Sequence, residues 1–156
     1  MKIYEPLAFI TFLALICLTI ILGGPIGYFI NIPSALVCTL FPICIAIITL
    51  GAPTAFHALL ALRIILFPPA LNQTATEDAQ NIHTLIIPTY AAGILGTLIG
   101  WIQMLANLDD LTHLGPAIAI SLLTILYALC IAEAILRPAS RRIAFYHQHE
   151  VHQEAA

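Results

Sequence analysis

Four runs of apolar residues, each close to the length that crosses a lipid bilayer, occupy most of this chain: 7–22, 34–52, 84–106 and 117–136. A spanning α-helix needs roughly 20 mostly apolar residues. Of the 156 residues, 61% are hydrophobic and only 8% are charged, against roughly 25% charged in a soluble domain. A water-soluble fold of this size cannot enclose so much apolar surface. The chain is therefore expected to be an all-α integral membrane protein, one transmembrane domain over 1–156 with four crossings. Pro42 inside the second run predicts a kink. The shorter segment 53–67 carries His57 and Arg63 and ends at Pro68-Pro69. It reads as a short interfacial helix between the second and third crossings, a fifth crossing being the alternative. The stretch NQTATEDAQN (72–81) reads as solvated, and 143–156 as a flexible tail. Lys2 and the apolar run after it resemble a signal peptide, but no small-residue cleavage site follows, so the segment reads as retained.

The basic residues set the orientation. They are Lys2, Arg63, Arg137, Arg141 and Arg142. With four crossings all five fall on one side, which places both termini in the cytoplasm. A fifth crossing would spoil that sorting. The net charge of −3 and the absence of a basic run exclude a nucleic-acid partner. Cys17, Cys38, Cys44 and Cys130 lie in apolar runs without C-x-x-C spacing and read as packing residues. The six histidines form no metal-ligand pattern, and no nucleophile elbow, phosphate loop or H-E-x-x-H is present. The expectation is no metal, no cofactor and no enzyme.

The last two runs carry the polar residues of interest. Gly93, Gly96 and Gly100 punctuate the third, and Gly96 and Gly100 form a GxxxG that lets helix backbones approach closely. Thr97 lies nine residues before 106, and Thr124 lies seven residues after 117. At about 1.5 Å per residue, both sit roughly 10–14 Å below the outer surface. Around an oligomer axis, two hydroxyls at one depth become a polar ring. The plain alternative is that each bonds its own i−4 carbonyl. Glu133 is the one carboxylate within a run, and intramembrane acids suggest function. Arg137, four residues on, makes an ion pair the favoured reading over a proton relay. At 3.6 residues per turn, the nine residues from Thr124 turn Glu133 about 180° away from it. Asp109 and Asp110, in the loop between the runs, read as a solvated turn with Asx-type bonds.

Together, these pieces resemble the last two helices of the MotA/TolQ/ExbB proton-channel family, closest to its flagellar-stator MotA branch. The resemblance rests on G-x-x-G-T-L-I-G (93–100), Q-M-L-A-N-L-D-D (103–110), L-G-P (114–116), L-L-T-x-L-Y (122–127) and L-R-P-A (136–139). N-I-P-S (31–34) resembles the opening of the family's second helix. The resemblance implies a multi-pass protein of the bacterial inner membrane. It implies a homopentamer around a single-span MotB/TolR/ExbD-like partner that carries a membrane aspartate. The pathway for protons or Na+ would pass Thr97 and Thr124. Gly93, Gly96, Gly100 and Tyr127 would pack the pore helices, and Asp109, Asp110 and Pro116 would shape the outer loop; Glu133 and Arg137, read from the residues alone, are the candidate secondary proton or ion-pair site. A non-conducting scaffold subunit is the alternative. The chain departs from the family in three places. About thirty residues (53–83), whose charges are Arg63, Glu77 and Asp78, stand where flagellar members carry a large cytoplasmic domain. Tyr90 replaces a proline, with Pro88 displaced by two, and Glu133 replaces a small polar residue.

Overall fold

The computed structural model describes residues 4–62, 75–106 and 114–154. Every regular element among them is helical. In chain order these are α1 (Tyr4–Gly23), a 3-10 turn (Ile26–Phe29), α2 (Ile32–Leu50), α3 (Ala52–Ala61), α4 (Ala75–Thr84), α5 (Ile86–Leu105), α6 (Leu114–Leu129), a π-helical segment (Cys130–Leu136) and α7 (Arg137–Glu154). Elements merge into three rods long and apolar enough to cross a membrane: Ile26–Leu50, Glu77–Leu105 and Leu114–Phe145. Helix α1 is apolar on every side and packs chiefly on the 3-10 turn that follows it. Arg63, Asp109 and Asp110 lie outside the described residues, as does the second half of the segment expected as an interfacial helix. Its first half is α3.

The boundaries follow local chemistry. Asn31 caps α2 by accepting a hydrogen bond from the Ser34 backbone N–H at 3.0 Å, and Pro33 takes an early position where no N–H is needed. Gly51, at φ +83°, ends α2 and redirects the chain into α3 in a conformation that favours glycine. Pro88 sits in the first turn of α5, where its missing N–H forfeits little. Pro116 occupies the same place in α6.

Two segments differ from the sequence-based expectation. The stretch read as solvated is wound from Ala75 into α4, with Ala79 and Ile82 buried. Its polar residues cover one face only. The other face packs on α7, where the Ser140 hydroxyl donates to the Ala79 carbonyl at 2.8 Å. The segment expected as a flexible tail continues α7 as far as Glu154, and Ile143 is buried within the helix. The helix passes through Pro138 directly after the π segment. A proline cannot donate to the carbonyl four residues back and crowds it. Immediately before Pro138, the Arg137 N–H bonds the Ala132 carbonyl, an i→i−5 register that moves the ladder off the α pattern.

Packing is inverted relative to a soluble protein. The bulkiest fully buried side chains are only Ile82, Thr89, Cys38 and Ser121, whereas Leu22, Ile48 and Ile87 are more than 70% exposed. Without a hydrophobic drive between helices in lipid, close contact is made by small and hydroxyl-bearing residues, and bulky side chains face outward. The largest apolar cluster lies at one end. There Ala46, Ala55, Ala58, Ile82, Ala132 and Ala139 bring α2, α3, α4, the π segment and α7 together.

Candidate functional site

Among the described residues, helices α5 and α6 form the most extensive contact, and glycines set its spacing. A Cβ at Gly93 would stand 2.5 Å from the Ala128 Cβ, and one at Gly96 would stand 2.6 Å from Thr124 Cγ2. A Cβ at Gly100 would collide with the Ser121 hydroxyl. The glycines of one helix are thus rungs against small residues of its antiparallel neighbour. At each glycine a side chain would run into the facing side chain, Ala128, Thr124 or Ser121, so the close approach needs a residue without a Cβ.

This spacing places Thr97 and Thr124 at one level. Gly96, next to Thr97, faces Thr124, and the Thr97 hydroxyl reaches the Ser121 carbonyl at 3.0 Å and its own Gly93 carbonyl at 2.8 Å. The Thr124 hydroxyl has two acceptors also, the Ile120 carbonyl at 3.0 Å and the Ser34 hydroxyl at 2.8 Å. One proton serves one acceptor best, so each threonine has a second partner to which it can turn. Both are almost fully enclosed within the subunit, Thr97 at 5% and Thr124 at 3% exposure.

Helix α2 completes the site. The Cys38 thiol points at the Thr124 carbonyl at 3.3 Å. Tyr127, one turn below Thr124, accepts from the Asn31 N–H at 3.0 Å and donates to the Phe29 carbonyl. The N-I-P-S and L-L-T-x-L-Y segments are therefore in contact, pinned by Tyr127 at one end and Ser34 at the other. Ser34, Cys38 and Ser121 are not legible as partners from residue order alone, because a small polar residue in an apolar helix most often bonds its own preceding turn. Ser121 does this too, donating to the Ala117 carbonyl at 2.9 Å.

Below this neutral level lies a charged one. Arg137 Nη1 is 3.0 Å from the Glu133 carboxylate, the i,i+4 pair expected from spacing. The Tyr90 hydroxyl of α5 also donates to that carboxylate, and Arg137 Nη2 lies 3.5 Å from the same hydroxyl. A rotation of 180° from Thr124 assumes 3.6 residues per turn throughout. The π segment turns less per residue, so Glu133 falls short of that rotation and meets the helix that carries Thr97. Sequence periodicity could not reveal the contact, since it presumes the α repeat.

A model of the MotA/TolQ/ExbB proton channel family matches residues 70–155, which include α5, α6, the π segment and their polar residues. The chain belongs to this family. Among its relatives, Motility protein A of Aquifex aeolicus is 47% identical over 53 residues, 34% of this chain and 21% of that protein. Motility protein A of Cereibacter sphaeroides is 43% identical over 61 residues, covering 39% and 24%. Chemotaxis protein PomA of Vibrio alginolyticus is 37% identical over 60 residues, covering 38% and 24%. The matches span no more than a quarter of these relatives' lengths. They are consistent with the MotA-like branch of this membrane family, whose type is a channel.

Proposed function

We propose that this chain is the channel-forming subunit of a motor or transducer complex driven by an ion gradient. It conducts protons or Na+ together with a MotB/TolR/ExbD-like subunit that carries a membrane aspartate. In this reading the chain crosses the bacterial inner membrane four times, with α1 as the first crossing and both termini in the cytoplasm. Five copies surround the partner helices, and the partner's aspartate carries the ion past the level of Thr97 and Thr124.

The observation that supports this most is the pair of hydroxyls at one level of a glycine-spaced hairpin, inside the segment that matches the family. A conducting path across hydrocarbon needs polar groups that can exchange partners without being left unsatisfied. Each threonine has two acceptors within 3.0 Å, which meets that need. In this reading both hydroxyls are enclosed while the path is closed. Opening requires Thr124 to leave Ser34 and turn to the axis.

The same enclosure favours a second reading, a non-conducting scaffold whose threonines only fasten helices. Liposomes holding the subunit co-purified with its partner distinguish the two. The channel reading expects dissipation of an imposed gradient, read with a pH-sensitive dye for protons and a sodium-sensitive dye for Na+. Liposomes that hold both gradients as tightly as protein-free controls would favour the scaffold.

A further inference from the structure

The Tyr90–Glu133–Arg137 cluster is built differently from a surface ion pair. An exposed i,i+4 pair is a marginal contact, and it needs no third group from another helix. Here a tyrosine from α5 reaches across to the carboxylate, and all three groups meet. Glu133 stands in the middle of the seven-residue π segment, a winding that often marks functional positions. The carboxylate is held and still open, with 38% of the Glu133 side chain and 41% of the Arg137 side chain exposed.

Its position along the hairpin matters. Tyr90 lies seven residues below Thr97, and Glu133 nine residues below Thr124. At about 1.5 Å per residue, the cluster sits roughly 10–14 Å from the threonine level on the same two rods. Glu133 is 19 residues from Leu114. That is about 28 Å, close to the roughly 30 Å thickness of the hydrocarbon layer. With the termini in the cytoplasm, the cluster is at the inner edge of the membrane, where an ion leaving the threonine level meets water.

The partners suit both protonation states. When Glu133 is ionised, Tyr90 donates to it and Arg137 balances its charge. When it is protonated, its O–H can donate to the Tyr90 oxygen, while the half-exposed Arg137 turns its guanidinium to water. The other titratable groups on the elements gathered at this end include His57 on α3, Glu77, Asp78 and His83 on α4, and the histidines and glutamates farther along α7. Among the described residues α6 offers only Tyr127, whose hydroxyl is engaged at Phe29 and Asn31, and the π segment itself adds only Cys130. Helix α7 adds Arg141 and Arg142 beyond Arg137.

We propose that Glu133 is a proton-exchange site at the inner end of the pathway, with Tyr90 and Arg137 as its positioning residues. The carboxylate takes up one proton from the pathway and releases it to the inner aqueous side. Nothing is oxidised or reduced, and no covalent bond other than O–H changes. The proposal rests on the channel reading above, and its test has a readout that does not depend on flux.

Infrared difference spectra of the membrane-embedded complex are recorded across pH jumps between roughly 3 and 9, a range that begins below the ordinary glutamate value. Wild type is compared with Glu133→Gln. A protonated-carboxyl band present in wild type and lost in the variant is expected. In liposomes the same variant should lower proton flux by about tenfold. The charge-swapped double variant Glu133→Arg with Arg137→Glu should keep wild-type thermal stability without restoring flux. If Glu133 shows no titrating band, or if the swapped pair restores flux, the site is an ion pair only and the proposal fails. If the band titrates while wild-type liposomes conduct nothing, proton exchange stands and the channel reading falls.

Discussion

The hairpin of α5 and α6 holds two polar levels that could hardly be built more differently. The Thr97–Thr124 level is neutral, spaced by glycines and closed to the surroundings. The Tyr90–Glu133 level is charged, uses long side chains and stands partly open. Both are carried on the same rods, so the contrast comes from local winding and residue size. Where both helices keep the α repeat, glycine rungs draw the backbones together until only hydroxyls fit between them. Where the second rod widens into a π turn, a carboxylate reaches the first. A polar group among apolar helices is thus accommodated in two ways, by satisfying it inside the contact or by pairing it at the membrane edge.

The largest effect should come from breaking the close level. Gly96→Val puts a branched side chain where even a Cβ would lie 2.6 Å from Thr124. Overpacking of this kind costs roughly 1–3 kcal/mol, and the helices cannot part without exposing the hydroxyls. Thermal unfolding in detergent should show a clear loss of stability, and size-exclusion profiles should show loss of assembly. A variant as stable as wild type would mean that the rungs do not set the spacing. Next comes Tyr127→Phe, which leaves the Asn31 N–H and the Phe29 carbonyl without their partner. The expected cost is about 1–2 kcal/mol, read by the same melting experiment. Hydrogen exchange at Asn31 should speed up. The smallest effect belongs to the open level. Arg137→Gln removes only the half-exposed i,i+4 part of the cluster, worth roughly 0.3–0.5 kcal/mol, and leaves the Tyr90 donor on Glu133, so the melting temperature should barely move. A large drop would show that the charged level holds the fold together as much as the glycine level does.

How legible each level was in the sequence follows from the same contrast. The rods 34–52, 84–106 and 117–136 were plain because an unbroken apolar run of that length has few other uses. The glycine spacing and the matched depth of the two threonines could be read from residue counts, since α5 and the first part of α6 keep the regular rise. Helix α4 was missed because Ala79 and Ile82 are too few to announce an apolar face among Thr, Glu, Asp, Gln and Asn. Continuation through Pro138 was missed because proline ordinarily ends a helix, and the π register that accommodates it leaves no mark in the sequence. The contact between Tyr90 and Glu133 was hidden for the same reason. Both residues depart from the family pattern, but at separate places in the sequence, and only the backbone winding brings them together.

The most direct test of the account lies at the closed level. Thr97→Val together with Thr124→Val keeps the shape of both side chains and removes both hydroxyls. If the partner's ion passes this level, each lost hydroxyl withdraws about 1 kcal/mol of polar stabilisation along the path, and gradient-driven flux in liposomes should fall by at least about tenfold. The complex should still assemble, because the glycine rungs are intact. Flux equal to wild type in an assembled double variant would contradict the account and leave Thr97 and Thr124 as helix fasteners.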